Sequence, residues 1–242
     1  MTTKSYKLQV QDLQIDVNPK DIKNLHISIM PPDGRIRVSC PLSMSEESVR
    51  LSIVSKLSRI RKEQRSFAEY VRESKKEMIS GESHYVDGNR HILEFVEVKE
   101  SPSISIKNKK NIILKARPNS TRENREKIMH EWLRNRMYEN LEGLIIKWEG
   151  IIGIKASHYG IRRMRTKWGS CNSEEKRIWL NLELAKKSPQ CLEYVLVHEM
   201  IHMLESKHND RFFSLLDEYM PSWRIHKEML DKPPLVHVDW DY

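Results

Sequence analysis

Residues 188–208, SPQCLEYVLVHEMIHMLESKH, place the tightest constraint on what this chain folds into. Ser188 followed by Pro189 predicts a helix start, with a hydroxyl to cap free amides and a proline where its missing N–H costs nothing. Leu192, Val195, Leu196, Ile201 and Met203 put apolar side chains around much of that helix, so other layers of the fold must cover it. Within this apolar run stand His198, Glu199 and His202. Two histidines four residues apart project from one helical face about a turn apart, where their imidazoles can share one metal ion. The carboxylate beside them is of the kind that takes a proton from an attacking water and returns it to a leaving amine. A catalytic zinc ion normally has three protein ligands. His208 is the natural third, beyond a Glu205-Ser206-Lys207 segment where the helix can end and the chain turn back. Enzymes with the longer H-E-x-x-H-x-x-G-x-x-H pattern have glycine where this chain has Glu205, so their turn is not encoded here.

Upstream, hydrophobic periodicity alternates between strand and helix. Residues 6–16, 24–30 and 35–39 follow period two, the last two separated by PPDG, and predict an N-terminal meander. From Ser45, the spacing of Val49, Ile53, Leu57 and Ile60 predicts one amphipathic helix to about Tyr70. Short strands return around an Asp87-Gly88 turn and around the polar residues 108–111. Ser120 or Thr121 caps the next helix, whose apolar face runs through Ile128, Trp132, Met137, Leu141, Leu144 and Trp148. Strand candidates 161–165 and 177–182 bracket Trp168-Gly169-Ser170-Cys171, read as a tight turn near the site. Helices over about 189–205, 209–219 and 222–231 complete the chain, with PPLVHVDWDY as a loose tail and no internal repeat visible. The fold class is α+β with a β-rich N-terminal part. The chain divides into a mixed strand and helix portion, 1–118, and a portion carrying the histidines, 119–242, the two being compatible with one continuous domain.

Composition narrows the function classes. No apolar run approaches the ~18 residues of a membrane span, and the opening MTTKSYKLQV has no apolar signal core, so a cytoplasmic protein without a membrane is expected. Cys40, Cys171 and Cys191 form no C-x-x-C pair, which excludes a disulfide framework and a cysteine zinc site. The net charge of +8 is uneven: residues 91–170 hold 17 basic against 9 acidic residues, whereas 171–242 are net acidic. Such a basic stretch can attract phosphate backbones. If 161–165 is a strand, Arg163 and Arg165 share one of its faces.

The run Arg163-Met164-Arg165-Thr166-Lys167-Trp168-Gly169-Ser170-Cys171, then Leu180-Asn181, His198-Glu199-Met200-Ile201-His202, His208, Phe212 and Met220-Pro221, resembles the YgjP-like metallopeptidases, relatives of the SprT-like zinc proteases. The match is dense across about 160–231. The resemblance implies a zincin-like fold, a Zn²⁺ held by His198, His202 and His208, Glu199 as catalytic acid and base, and a peptide or protein substrate. In zincins a nearby sheet edge holds the extended substrate, a role open here to the strands 161–165 and 177–182. Cys171 is a candidate fourth ligand, and His226, Tyr219 and Arg224 are candidates to stabilise the transition state. The sequence therefore reads as a zinc-dependent metallopeptidase. The alternative is a nucleic-acid-associated binding protein with a mainly structural metal, or a DNA-associated protease of the kind found among SprT-like relatives, acting through the basic 91–170 segment.

Overall fold

The computed structural model describes residues 5–30, 34–69, 76–164 and 167–232. Contacts divide the chain near residue 71 into two units. In the first, the alternation over 6–16 resolves into two strands, β1 (Tyr6–Val10) and β2 (Leu13–Lys20), because Gln11 takes a left-handed backbone with φ of 54° and reverses the chain. Strands β3 (His26–Met30) and β4 (Arg35–Pro41) follow, and the sheet order is β1-β2-β4-β3. The expected meander is thus not formed, since β2 and β4 run parallel, with Ile15 beside Ile36 and Val17 beside Val38. The helix expected over 45–70 is two helices, α1 (Glu46–Val54) and α2 (Leu57–Glu69), interrupted at Ser55 and Lys56. Ser45 caps α1 by accepting from the Ser48 amide, and Val49, Ile53 and Ile60 bury against Leu8, Ile15, Val17 and Val38.

The second unit repeats that strand order. Strands β5 (Ser83–Val86), β6 (Asn89–Glu97), β7 (Ser103–Lys107) and β8 (Asn111–Ala116) form a sheet ordered β5-β6-β8-β7. Again the middle pair, β6 and β8, is parallel and the outer pairs are antiparallel. Asp87 and Gly88 turn the first hairpin with φ of 50° and 78°, the consecutive positive values of a tight primed turn. Helix α3 (Arg122–Ile152) begins at a Thr121 cap that accepts from the Asn124 amide and ends at Gly153 in the left-handed region. Its buried line runs through Met129, Leu133, Met137, Leu141, Trp148 and Ile152, while Ile128, Trp132 and Leu144 flank that line half-buried. The strands 83–116, grouped by sequence with the N-terminal portion, share one core with α3 and with everything that follows it.

A three-stranded sheet then positions the histidines. Strand β9 (His158–Arg162) lies parallel to β11 (Arg177–Asn181), and β10 (Gly169–Asn172) lies antiparallel on its other side. The basic strand therefore spans 158–162 and not 161–165, Arg165 falls outside the described residues, and the segment read as a turn at 169–171 is a strand. A 3₁₀ turn at Leu182–Lys186 leads into α4 (Pro189–Ile201), followed by α5 (Asp210–Tyr219) and α6 (Trp223–Asp231). Ser188 makes no capping hydrogen bond; its Oγ lies 3.3 Å from Cys191 Sγ. The Asp87-Gly88 turn is docked just ahead of α4. Its two amides donate to the carbonyls of Ala185 and Lys186, and Asp87 accepts from Arg136 of α3. No helix among the described residues is long and apolar enough to cross a membrane. The terminal PPLVHVDWDY lies outside the described residues.

Candidate active site

Helix α4 is buried on nearly every side, from Cys191 through Ile201, as its apolar run requires. It stops at Ile201, short of the expected 205, so His202 sits at the C-cap and residues 203–208 are free to turn back. Asn209 caps α5 by accepting from the Phe212 amide, which fixes His208 just ahead of that helix. His198, His202 and His208 are thereby brought together: one ring nitrogen from each lies within 4.8 Å of the other two, and the group could hold a metal ion. The Nε2 atoms of His198 and His208 are 3.0 Å apart. All three rings rest on Phe212, which is fully buried, with ring centroids 4.7–4.9 Å away. His202 donates from Nδ1 to the carbonyl of Glu205 at 3.1 Å, which leaves Nε2 as the lone-pair nitrogen. No other group of three such residues with this geometry occurs among the described residues.

Burial governs the charge states. It pulls the His198 imidazole down to about 3, with repulsion from any proton taken up by His202 or His208 and from the Lys227 ammonium adding to it, and it lowers His202 as well. Both rings are therefore neutral near pH 7, the form in which imidazole donates a lone pair. Burial pushes the Glu199 carboxyl up to about 7, against an opposing pull from Lys167, so this group both accepts and releases a proton near neutrality. The backbone of Gly169 on β10 packs directly on that carboxylate, and a Cβ placed there would stand 2.6 Å from Glu199 Oε1.

Residues 23–233 match the YgjP-like metallopeptidase domain family. The chain belongs to that family. Among curated proteins none matches. Of solved structures, the crystal structure of the metallopeptidase zymogen of Pyrococcus abyssi abylysin is similar at 22% identity and TM-score 0.33, over 37% of this chain and 88% of that one.

In this YgjP-like chain the histidines open onto a cleft of about 460 Å³. Trp168, Gly169, Ser170 and Cys171 form one wall, as the sequence motif suggested; Tyr194, Lys227, Leu230 and Asp231 form another. Asn181, buried at the end of β11, organises the first wall. Its Nδ2 donates to the carbonyls of Met164 and Lys167, its Oδ1 accepts from the amides of Met164 and Glu183, and its own amide donates to the Trp168 carbonyl. Cys171 borders the cleft without joining the histidine group, and burial raises its thiol to about 11. Tyr219, Arg224 and His226 do not border the cleft. Arg224 is paired with Asp217, and His226 Nε2 lies 2.9 Å from Ser222 Oγ.

One further expectation is corrected. Strand β11 is the centre of its sheet, so an exposed edge belongs to β9 or β10, and β10 is the one beside Glu199. The face expected to be shared by Arg163 and Arg165 lies outside the described residues, because Arg165 does. Arg162 lies over the Trp179 ring, Arg163 approaches the buried Glu183 at 3.7 Å, and Lys167 borders the cleft. Tyr194 was legible in principle, four residues before His198 and so on the same helical face. For Lys227 and Asp231 no sequence signal existed, because α6 reaches the cleft only through tertiary packing.

Proposed function

We propose that this YgjP-like metallopeptidase hydrolyses peptide bonds with a zinc ion held by His198, His202 and His208 and with Glu199 as general base, in a zincin-like arrangement. The observation that carries the reading is the convergence of three imidazoles, His198 and His202 among them kept neutral by burial, beside a buried carboxylate that lines the same cleft. The donor set suits zinc: in a tetrahedral site with ~2.05 Å bonds, ligand nitrogens stand roughly 3.3 Å apart, near the 3.0 Å between His198 and His208. When bound, the ion supplies a Lewis acid that polarises the scissile carbonyl and acidifies water near neutral pH.

The remaining steps belong to the chain. Glu199 accepts the proton of the attacking water, aided by the burial that raises its proton affinity, and delivers it to the leaving amine. The Glu205 carbonyl holds the His202 ring in the tautomer that leaves Nε2 free. Phe212 supports all three rings from beneath. The free edge of β10 is placed to receive an extended substrate by strand addition. Glu199→Gln is expected to retain about one zinc per chain and lose cleavage by about 10²-fold or more, while His202→Ala loses both metal and activity. Wild-type cleavage by the Glu199→Gln protein would sink the general-base assignment. Nucleic acid remains the alternative ligand, with Arg162 and Lys167 as its exposed contacts.

A further inference from the structure

The cleft carries a charge pattern that peptide hydrolysis does not require. The basic residues described on or just beyond α6 are Arg224, Lys227 and Lys232. Arg224 is committed to Asp217, and Lys232 to Glu228 at 2.9 Å. Lys227 has no carboxylate partner among the described residues, although Asp231 stands one turn further on. It borders the cleft, and its charge bears on His198. Lys167, on the wall that precedes β10, also borders the cleft, and its charge bears on Glu199 and His202. The cleft also holds two carboxylates, Glu199 and Asp231, and the charge of Asp231 bears on Tyr194 and on the buried Lys187. Two ammonium groups from different walls therefore line the cleft with the histidines: Lys167 lies within reach of the Glu199 charge, and Lys227 makes no ion pair with a carboxylate among the described residues.

Resting on the peptidase reading above, we infer that the cleft selects peptides bearing a carboxylate next to the scissile bond, and that Lys227, with Lys167 facing the site from the other wall, is the residue that receives it. The carboxylate comes either from an acidic side chain or from a free peptide C-terminus. An ammonium beside a partly desolvated cleft gains a charge-assisted hydrogen bond from such a group, and a long, flexible lysine at an exposed position pairs with it at little conformational cost to the fold.

The test uses the zinc-loaded, full-length Glu199→Gln protein, which holds substrate without consuming it, and reads fluorescence anisotropy for three peptides of one length. The first has an acidic side chain and an amidated end, the second has neutral side chains and a free carboxylate, and the third is neutral and amidated. A carboxylate peptide is expected to bind about tenfold tighter than the neutral one. Tight binding of the first identifies a side-chain carboxylate as the ligand, and tight binding of the second identifies the chain end. Adding Lys227→Met should bring the ratio of dissociation constants to within about twofold of unity, whereas Lys107→Met, at the far end of β7, should leave the preference in place. Equal or absent binding of all three peptides, or a preference that survives Lys227→Met, overturns the inference. Wild-type cleavage of the neutral peptide, measured separately, reports on the peptidase reading alone.

Discussion

Gly169→Ala isolates the contact between β10 and Glu199. The backbone of Gly169 is not in the left-handed region, so alanine brings no conformational strain and the whole effect lies in the added methyl. That carbon would stand 2.6 Å from Oε1, 2.7 Å from Cγ and 2.9 Å from Cδ of Glu199, against an ordinary contact of 3.4–4 Å. Something must move by roughly 0.8 Å, a displacement of the size that costs about 10²-fold when it misplaces a catalytic group. Gly169 is held in register opposite Leu180, and Glu199 rises from a helix buried on both flanks. The carboxylate is thus the part that yields. We expect kcat to fall about 10²-fold with KM within about threefold of wild type, metal content unchanged, and stability lowered by about 1–3 kcal/mol of overpacking. Steady-state cleavage of a fluorogenic peptide, metal analysis and urea unfolding measure the three. Gly143→Ala, in open space on α3, is the control and should stabilise by about 0.5–1 kcal/mol without touching kcat. A Gly169→Ala enzyme with wild-type kcat would refute the contact argument, and one that lost its metal would show that the strain passes to the histidines.

Chelation should lower the melting temperature, because a metal that binds only the folded chain stabilises it by mass action, and should speed amide exchange most over 202–213, the segment that carries His202 and His208; unchanged exchange there after verified metal removal would count against His208. Burial, with Lys76 and Lys186 adding to it and Glu82 opposing, holds the His84 imidazole at about 4. Its folded value is depressed, so the stability it contributes is complete above about pH 6.5 and disappears as pH falls toward 4. In chelator, the wild type should lose up to about 3 kcal/mol more than His84→Asn between pH 7.5 and 4, as read by urea midpoints, and parallel losses would refute this. If the basic segment binds nucleic acid, an anisotropy titration with DNA should show affinity that falls steeply with salt and weakens in Arg162→Glu with Lys167→Glu; no binding at low salt removes that alternative.

The histidine triad was legible because its geometry is local. An i,i+4 pair on a helix fixes two imidazoles on one face whatever surrounds them, and the polar 205–207 segment left only one direction for His208. The hairpin at Asp87-Gly88 and the Thr121 cap were readable for the same reason. What escaped the sequence depends on distant partners. Gln11 reverses the chain without a glycine or an Asn-Gly signal, so the alternation over 6–16 looked continuous. The parallel pairing of β2 with β4 leaves no trace in either strand's periodicity. Gly169 needs to be glycine only because α4 brings Glu199 against β10, and Asn181 matters because a loop 13–17 residues earlier folds back onto its amide. Lys227 enters the cleft through the packing of α6 on α4, which no motif announces.

The repeated strand order bears on where this chain can be cut or extended. Each sheet has its own hydrogen-bonded ladder and packs on helices of its own, α1 and α2 in the first unit and α3 in the second. A break near residue 71 would leave both ladders whole. A break after residue 118 would leave the second sheet without α3, exposing Leu93, Ile112 and Leu114 to water. The two halves are topological copies of unequal inheritance: the second alone is continued by β9 to β11 and by the helices that carry the histidines. Core substitutions in the first copy are therefore expected to act on the folding of its own ladder, whereas core substitutions in the second also reach the sheet and helices that carry the histidines.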